Sequence, residues 1–502
     1  MSAGKGDAAG PSFLLARWLF LRGLAVVFAI AFVSLVVQID GLVGSRGILP
    51  IADFLDYVRR ATGSAQIAAL PTLCWISSSD AFLHAQCAAG LLLSAALFLG
   101  FAPRLCIALL WAVYLSLVVA GQTFLSFQWD ILLLEAAVFA FPFAPSSWLP
   151  GLARERPPSR TSLWLLRWLL FRLMFASGVV KLTSGDPTWG FSDLSALTFH
   201  YWSQPLPTVF AWYASHLPLW IQRTSCAVMY AFEIGFPWLV FLGRRARQVA
   251  FAGLVAFQLL IAITGNYGFF NLLSILLCVP LLDDALLARI VPARLAERAR
   301  APREVRPARL WLRVPRVTLA GILVLFTGVR LLDNVGWIAF LGMQELPEPC
   351  LVVERAIGPF RSLNDYGLFR VMTKERREIE IQGSVDGIAW KTYPFRWKPG
   401  PVDRAPAWVA PHMPRLDWQM WFASLGPARA SRWFIPLLDR LLEGSPPVLA
   451  LFASNPFPDG PPRLVRAQVR EYRFTTAPEK SASGAWWTRG EEVPFASPRS
   501  RR

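Results

Sequence analysis

The chain has 502 residues, of which 55% are hydrophobic and only 17% charged, with 22 Trp and 36 Phe. That balance excludes an ordinary soluble domain, which carries more charge and less apolar bulk. The formal net charge of +17 brings nucleic acid to mind, but the arginines fall mainly between apolar segments and in the C-terminal third. A charge bias between spans is a topology signal first, so no nucleic-acid partner is expected.

Taken in order, about nine segments approach the roughly 20 apolar residues that cross a bilayer. They lie near 14–37, 81–100, 104–121, 124–143, 162–182, 224–242, 246–264, 267–287 and 317–341. The second to fourth are short or closely joined, which leaves room for a re-entrant segment. The first is too long for a signal-peptide core and carries Arg17 and Arg22, so it reads as a retained signal anchor. The basic, proline-rich stretch 289–315 reads as a loop with one helix lying along the membrane. Beyond about residue 343 no further span occurs. Residues 378–384 alternate, Asp386-Gly387 marks a turn, and 389–397 completes a hairpin. A helix over 431–444 stops at Gly444, and 463–476 reads as a strand. The residues after Gly490 read as frayed. The expected fold is a multi-pass α-helical membrane bundle over 1–343, followed by a β-rich domain over 344–502.

Charge orients it. Lys5, Arg17, Arg104, the cluster at 154–160, the triplet at 244–247 and the run from Arg289 to Arg316 fall on one side. The connections 121–123 and 264–267 on the other side hold no Lys or Arg. The positive-inside rule then places the N-terminus in the cytoplasm and the C-terminal domain outside it.

Four of the six cysteines sit inside spans, where a thiol is a small hydrophobe. Cys74 and Cys350 share the outer side, and a disulfide between them is open. No Cys-x-x-Cys occurs and the four histidines are scattered, so neither a metal nor a cofactor is expected. The chemistry left is polar residues in apolar surroundings: Asp130, Glu135, Arg167, Arg172, Lys181, Glu233, Asn266 and Asn271. The plain reading is helix caps, snorkelling or ion pairs across a bundle, Arg172 meeting Glu135 or Glu233. The sharper reading concerns residues 171–207, where a buried Lys181 beside Trp189 acts as a base with His200, or His216, as proton carrier. In the C-terminal part Trp418, Trp421, Phe422 and Trp433 form either a client-holding surface or core.

Several long runs carry a resemblance: FQWDILLLEAAVFAFPFAP, the 171–207 segment, ITGNYGFFNLL, GPFRSLNDYGLFRVMT, RLDWQMWFA, LLEGSPPVLALFASNPFPD and RLVRAQVREYRFT. Together they resemble the lipase maturation factor family from about residue 13 to 487. The resemblance implies a folding factor in the endoplasmic-reticulum membrane that helps exported dimeric lipases become active. A composition rich in Ala, Arg and Pro hints at a bacterial source, which would make the membrane the plasma membrane and the client another exported hydrolase. A shorter run, GVVKLTSGDPTW, is similar to the transmembrane domain of vitamin K-dependent γ-carboxylase, where Lys181 falls on the catalytic base. That similarity implies a membrane enzyme acting on a quinone-like or lipid substrate. The leading expectation is action by contact rather than turnover. A transporter is the weakest of the three readings, because no inverted repeat is evident.

Overall fold

The computed structural model describes residues 12–63, 66–301, 310–340 and 346–501. Among the described residues, seven helical segments are long and apolar enough to cross a membrane: Leu14–Val36, Asp80–Leu99, Pro103–Ala120, Arg160–Leu182, Leu219–Phe241, Arg244–Thr264 and Val314–Asn334. We number the helices used below in chain order. They are α1 (Leu14–Val36), α2 (Asp80–Leu99), α3 (Pro103–Ala120), α4 (Gln128–Phe143), α5 (Arg160–Leu182), α6 (Ala196–Ser203), α7 (Leu219–Tyr230), α8 (Arg244–Thr264), α9 (Phe270–Cys278), α10 (Ala293–Arg300), α11 (Leu310–Asn334), α12 (Arg415–Ser424) and α13 (Phe434–Glu443).

The expected nine spans reduce to seven at full crossing length. The two that fall short are α4, with 16 residues, and the apolar helix Phe270–Leu281. Both are lined by buried residues on most faces. A segment wrapped by protein has no need to match the bilayer thickness, since other helices satisfy and cover it. Part of the basic stretch 289–315 forms α10; residues 302–309 lie outside the described residues.

Local signals set the helix ends. Ser79 and Ser159 cap α2 and α5 by accepting from Phe82 N and Ser162 N. Gly100 ends α2 with φ +90°, a left-handed conformation that suits glycine. Without a hydrophobic drive inside lipid, helices associate through close packing and polar pairs. Several of the polar pairs here join the bundle to the C-terminal part.

That part holds a five-stranded antiparallel sheet ordered β2-β1-β3-β4, with β5 also on β3. The strands are β1 (Arg376–Ser384), β2 (Lys391–Thr392), β3 (Leu464–Phe474), β4 (Trp487–Arg489) and β5 (Val493–Ser500). The hairpin expected around Asp386-Gly387 pairs Gln382 with Thr392, and Gly387 takes φ +80°. In the central pair Ile379 faces Val469 and Ile381 faces Ala467. α12 packs on β1 and α13 on β3. The tail after Gly490 is not frayed but forms β5. Phe495 meets the Phe434 ring edge-on at 5.2 Å and Arg499 bonds Asp439 at 2.8 Å, so its anchors are packing and charge that local pattern does not reveal. One hydrophobic core runs unbroken from α1 to β3.

Candidate functional site

The site is built where the 171–207 stretch, α4 and the C-terminal run 358–373 meet. Asp130 and Glu135 stand five positions apart on α4 and both are fully buried. An isolated carboxylate at that depth is costly, so each must be paired.

Glu135 takes a charge-assisted bond from Arg172, the first of the two partners expected for that arginine. Its other oxygen accepts from Asn364 N at 3.0 Å and from the Tyr366 hydroxyl at 2.6 Å. Arg172 in turn donates to Asn364 O at 3.0 Å. Asp130 receives both terminal nitrogens of Arg415 and the Tyr114 hydroxyl, the last at 2.6 Å. The backbone N of Arg415 donates to Gln38 Oε1 at 2.9 Å, and Gln38 Nε2 donates to Met413 O at 2.8 Å. Arg167 stays apart from this cluster and donates to Pro280 O.

Lys181 sits in the last turn of α5. Its Nζ donates to Glu233 Oε1 at 2.8 Å, Glu233 Oε2 at 2.7 Å and Ser177 O at 2.9 Å, and lies 5.6 Å from the Trp189 ring centre. Glu233 belongs to a one-turn π-helix, Ala231–Gly235, that follows α7. Such turns re-aim a side chain and recur at functional positions. Gly178 is what lets them meet: a Cβ there would come within 2.6 Å of Ile234 and 2.9 Å of Glu233. An ammonium has three hydrogens, and here all three have acceptors.

The run 362–372 laces this region together. Trp111 Nε1 donates to Ser362, Gly367 N to Gln128, and Trp189 Nε1 to Phe369 O. Met372 N donates to Asp186 Oδ2 at 2.7 Å. Burial works against the Asp186 carboxylate, but bonds from Met372 and Thr188 hold it below its ordinary range.

Half-buried His200 stands edge-on to Phe369 at 4.7 Å, with Nε2 3.3 Å from the Tyr267 hydroxyl. Tyr267 donates to Gln204 Oε1 at 2.6 Å. Burial, helped by the Lys181 charge, pushes His200 down to about 4. Among the described residues no hydrogen bond joins His200 to Lys181. His216 lies elsewhere, packed 4.2 Å from Trp212. Asn266 bridges two segments, donating to Leu206 O and Ala407 O and accepting from Val409 N and Ala410 N. Asn271 donates to Gln258 at 2.8 Å inside the bundle.

Of the two readings open for the C-terminal aromatics, core packing fits Trp418 and Trp433. Trp418 is 4% exposed and Trp433 3%, and Trp418 packs 4.8 Å from Trp129. Trp421 is partly covered and donates to Ser203 O. Of the four, only Phe422, at 44%, stands in the open. An amphipathic run buries its indoles because they carry the largest apolar area. Cys74 and Cys350 are both free thiols, the first buried beside Gln86. Among the described residues no group of His, Cys, Asp and Glu could hold a metal ion.

Arg415, Asn364, Tyr366, Gln38 and Asp186 were not singled out from the sequence. Arg415 and Tyr366 stand inside the runs RLDWQMWFA and GPFRSLNDYGLFRVMT, beside aromatics and acids, and that density of polar groups was the available signal.

Both parts of the chain that meet here match families of known proteins. A family model described as the lipase maturation factor transmembrane domain matches residues 15–289, and one for the lipase maturation factor C-terminal domain matches 362–496. The chain belongs to the lipase maturation factor family. It is 38% identical to lipase maturation factor 2 of Homo sapiens, over 95% of this chain and 81% of that protein. It is 36% identical to lipase maturation factor 2 of Gallus gallus, over 95% and 80%, and 34% identical to lipase maturation factor 1 of Bos taurus, over 98% and 90%. No solved structure matches it. In family terms, the strap 362–372 opens the C-terminal domain match, and the carboxylates it binds belong to the transmembrane domain match.

Proposed function

We propose that this chain is a membrane-embedded folding factor that brings exported lipases, or related secreted clients, to their active state from the extracytoplasmic side. The observation that carries the reading is kinship to lipase maturation factors 1 and 2 through both domains, over 95% or more of the chain in the relatives named. Orientation draws on two facts. The C-terminal part grips Ser34 and Gln38 at the far end of α1, while Arg17, Arg104 and Arg160 gather at the opposite end of the bundle. The positive-inside rule makes that second end cytoplasmic. The membrane is the plasma membrane in a bacterium and the endoplasmic reticulum in a eukaryote. A rigid, laced junction suits a platform that holds a client, and exposed Phe422 and Leu425 at the end of α12 give it apolar contact points.

The enzyme reading, with Lys181 as base, has less support. A base needs a free lone pair facing substrate, and Lys181 directs its nitrogen at Glu233 and Ser177.

The test is rescue. The chain is expressed in cells lacking their own maturation factor, with a secreted lipase from the same source, and lipase activity per secreted molecule is measured. The wild type restores activity, and Phe422→Ser with Leu425→Ser weakens it while the protein stays inserted. A folded, inserted wild type that leaves lipase activity at the empty-vector level overturns the proposal.

A further inference from the structure

At the opposite end of the bundle from the sheet, a cleft opens between the start of α1 and the α2–α3 turn. Arg17, Trp18 and Arg22 line it together with Leu97, Gly100 and Glu155. Arg22 stacks on Trp18, its Cζ 4.0 Å from the ring centre, and Nη1 donates to Trp18 O at 3.3 Å. Its other nitrogen lies against Gly100, where any Cβ would come within 3.3 Å. Glu155 is held across the cleft by Ser147 and by Arg17 at 3.7 Å. Among the described residues no carboxylate pairs with Arg22.

The position of Arg22 on α1 is telling. Val26, Ile30, Val33 and Val37 follow it at helical spacing, and three of them are exposed while Ile30 is partly so. In a membrane protein such a stripe faces acyl chains. A cation at the head of a lipid-facing stripe, folded onto an interfacial tryptophan, needs an anion at the headgroup level. Basic pockets between transmembrane helices take anionic headgroups. We propose that this cleft binds the phosphate of an anionic phospholipid, with Arg22 on the phosphate and one acyl chain along the Val26–Val37 stripe.

The full chain is purified in neutral detergent and offered phosphatidylglycerol, phosphatidylcholine or inorganic phosphate. Retained lipid is read by native mass spectrometry and stabilisation by thermal melting. Phosphatidylglycerol is expected to be retained and to raise Tm, and the other two to do neither. Arg22→Gln weakens retention roughly fivefold, the scale for one basic group at an anionic surface. Arg22→Lys keeps most of it, and Arg289→Gln, an exposed arginine elsewhere, changes nothing. Equal retention of the two lipids by the wild type overturns the proposal without any variant having to fold. So does a folded Arg22→Gln protein with undiminished preference, or inorganic phosphate matching the lipid's effect.

Discussion

Asp130 and Arg415 stand 285 positions apart in the chain and meet as a fully buried, bidentate ion pair. One comes from the bundle and the other from the helix beneath the sheet. Glu135 repeats the arrangement with Asn364 and Tyr366, so one short helix holds two grips on the C-terminal part.

Removing one member of such a pair strands the other. Arg415→Met is expected to cost about 3–5 kcal/mol. The double variant Asp130→Leu with Arg415→Met, which removes both charges, should recover most of that. Thermal unfolding of the four proteins in detergent measures the coupling; equal losses for single and double variants would sink the idea.

Lys181 allows a sharper separation. If its role is to tie α5 to the π-turn, Lys181→Met lowers lipase maturation by leaving Glu233 bare, and Lys181→Met with Glu233→Met restores much of it. A catalytic base cannot be restored that way, so a dead double variant that remains folded would favour chemistry.

Gly178 tests the same contact through space. Gly178→Val inserts atoms where a Cβ already meets Ile234 at 2.6 Å. Overpacking of this kind costs about 1–3 kcal/mol, and Gly178→Ala should cost less. Hydrogen exchange confined to 231–235 would rise in Gly178→Val before the rest of the bundle loosens.

Acid should loosen the junction. His412 Nδ1 lies 3.0 Å from Ser34 Oγ at the end of α1. His200 and His412 are both pushed from 6.5 down to about 4, His200 by burial and Lys181, His412 by burial and the charges of Arg415 and Arg396. The unfolded chain therefore takes up protons first. The stability tied to neutral histidine is complete above about pH 6.5 and drains away as the pH falls toward about 4. Each contributes a slope of at most about 1.4 kcal/mol per pH unit. His200→Gln and His412→Gln should each flatten the Tm profile across that window, and unchanged profiles would refute the assignment.

Much of the fold was legible in the chain. Apolar length located the bundle, and Asp386-Gly387 and Gly444 marked a turn and a helix stop that the structure keeps. What failed depended on tertiary cover. The 16 residues of α4 looked like a full span because apolar count cannot tell lipid from protein as surroundings. For Trp418 the choice between client-holding surface and core stayed open, because an amphipathic pattern does not say what lies on its apolar side. Within the site, Asp130, Glu135, Arg172, Lys181 and Glu233 stood out as charges at depth, whereas Asn364 and Tyr366 act partly through backbone and hydroxyl groups that carry no such mark.

The two grips on α4 have a consequence for how the molecule is made. Ribosomes deliver Asp130 and Glu135 to the membrane more than 200 residues before Asn364, Tyr366 and Arg415 exist. Arg172 arrives early enough to shelter Glu135, but Asp130, with only the Tyr114 hydroxyl made before it, must wait for its cation, Arg415. The bundle is thus unfinished until the final third has emerged and folded back. A chain cut short in its C-terminal part should be recognised as an incomplete membrane protein and cleared, not persist as an anchor without its head.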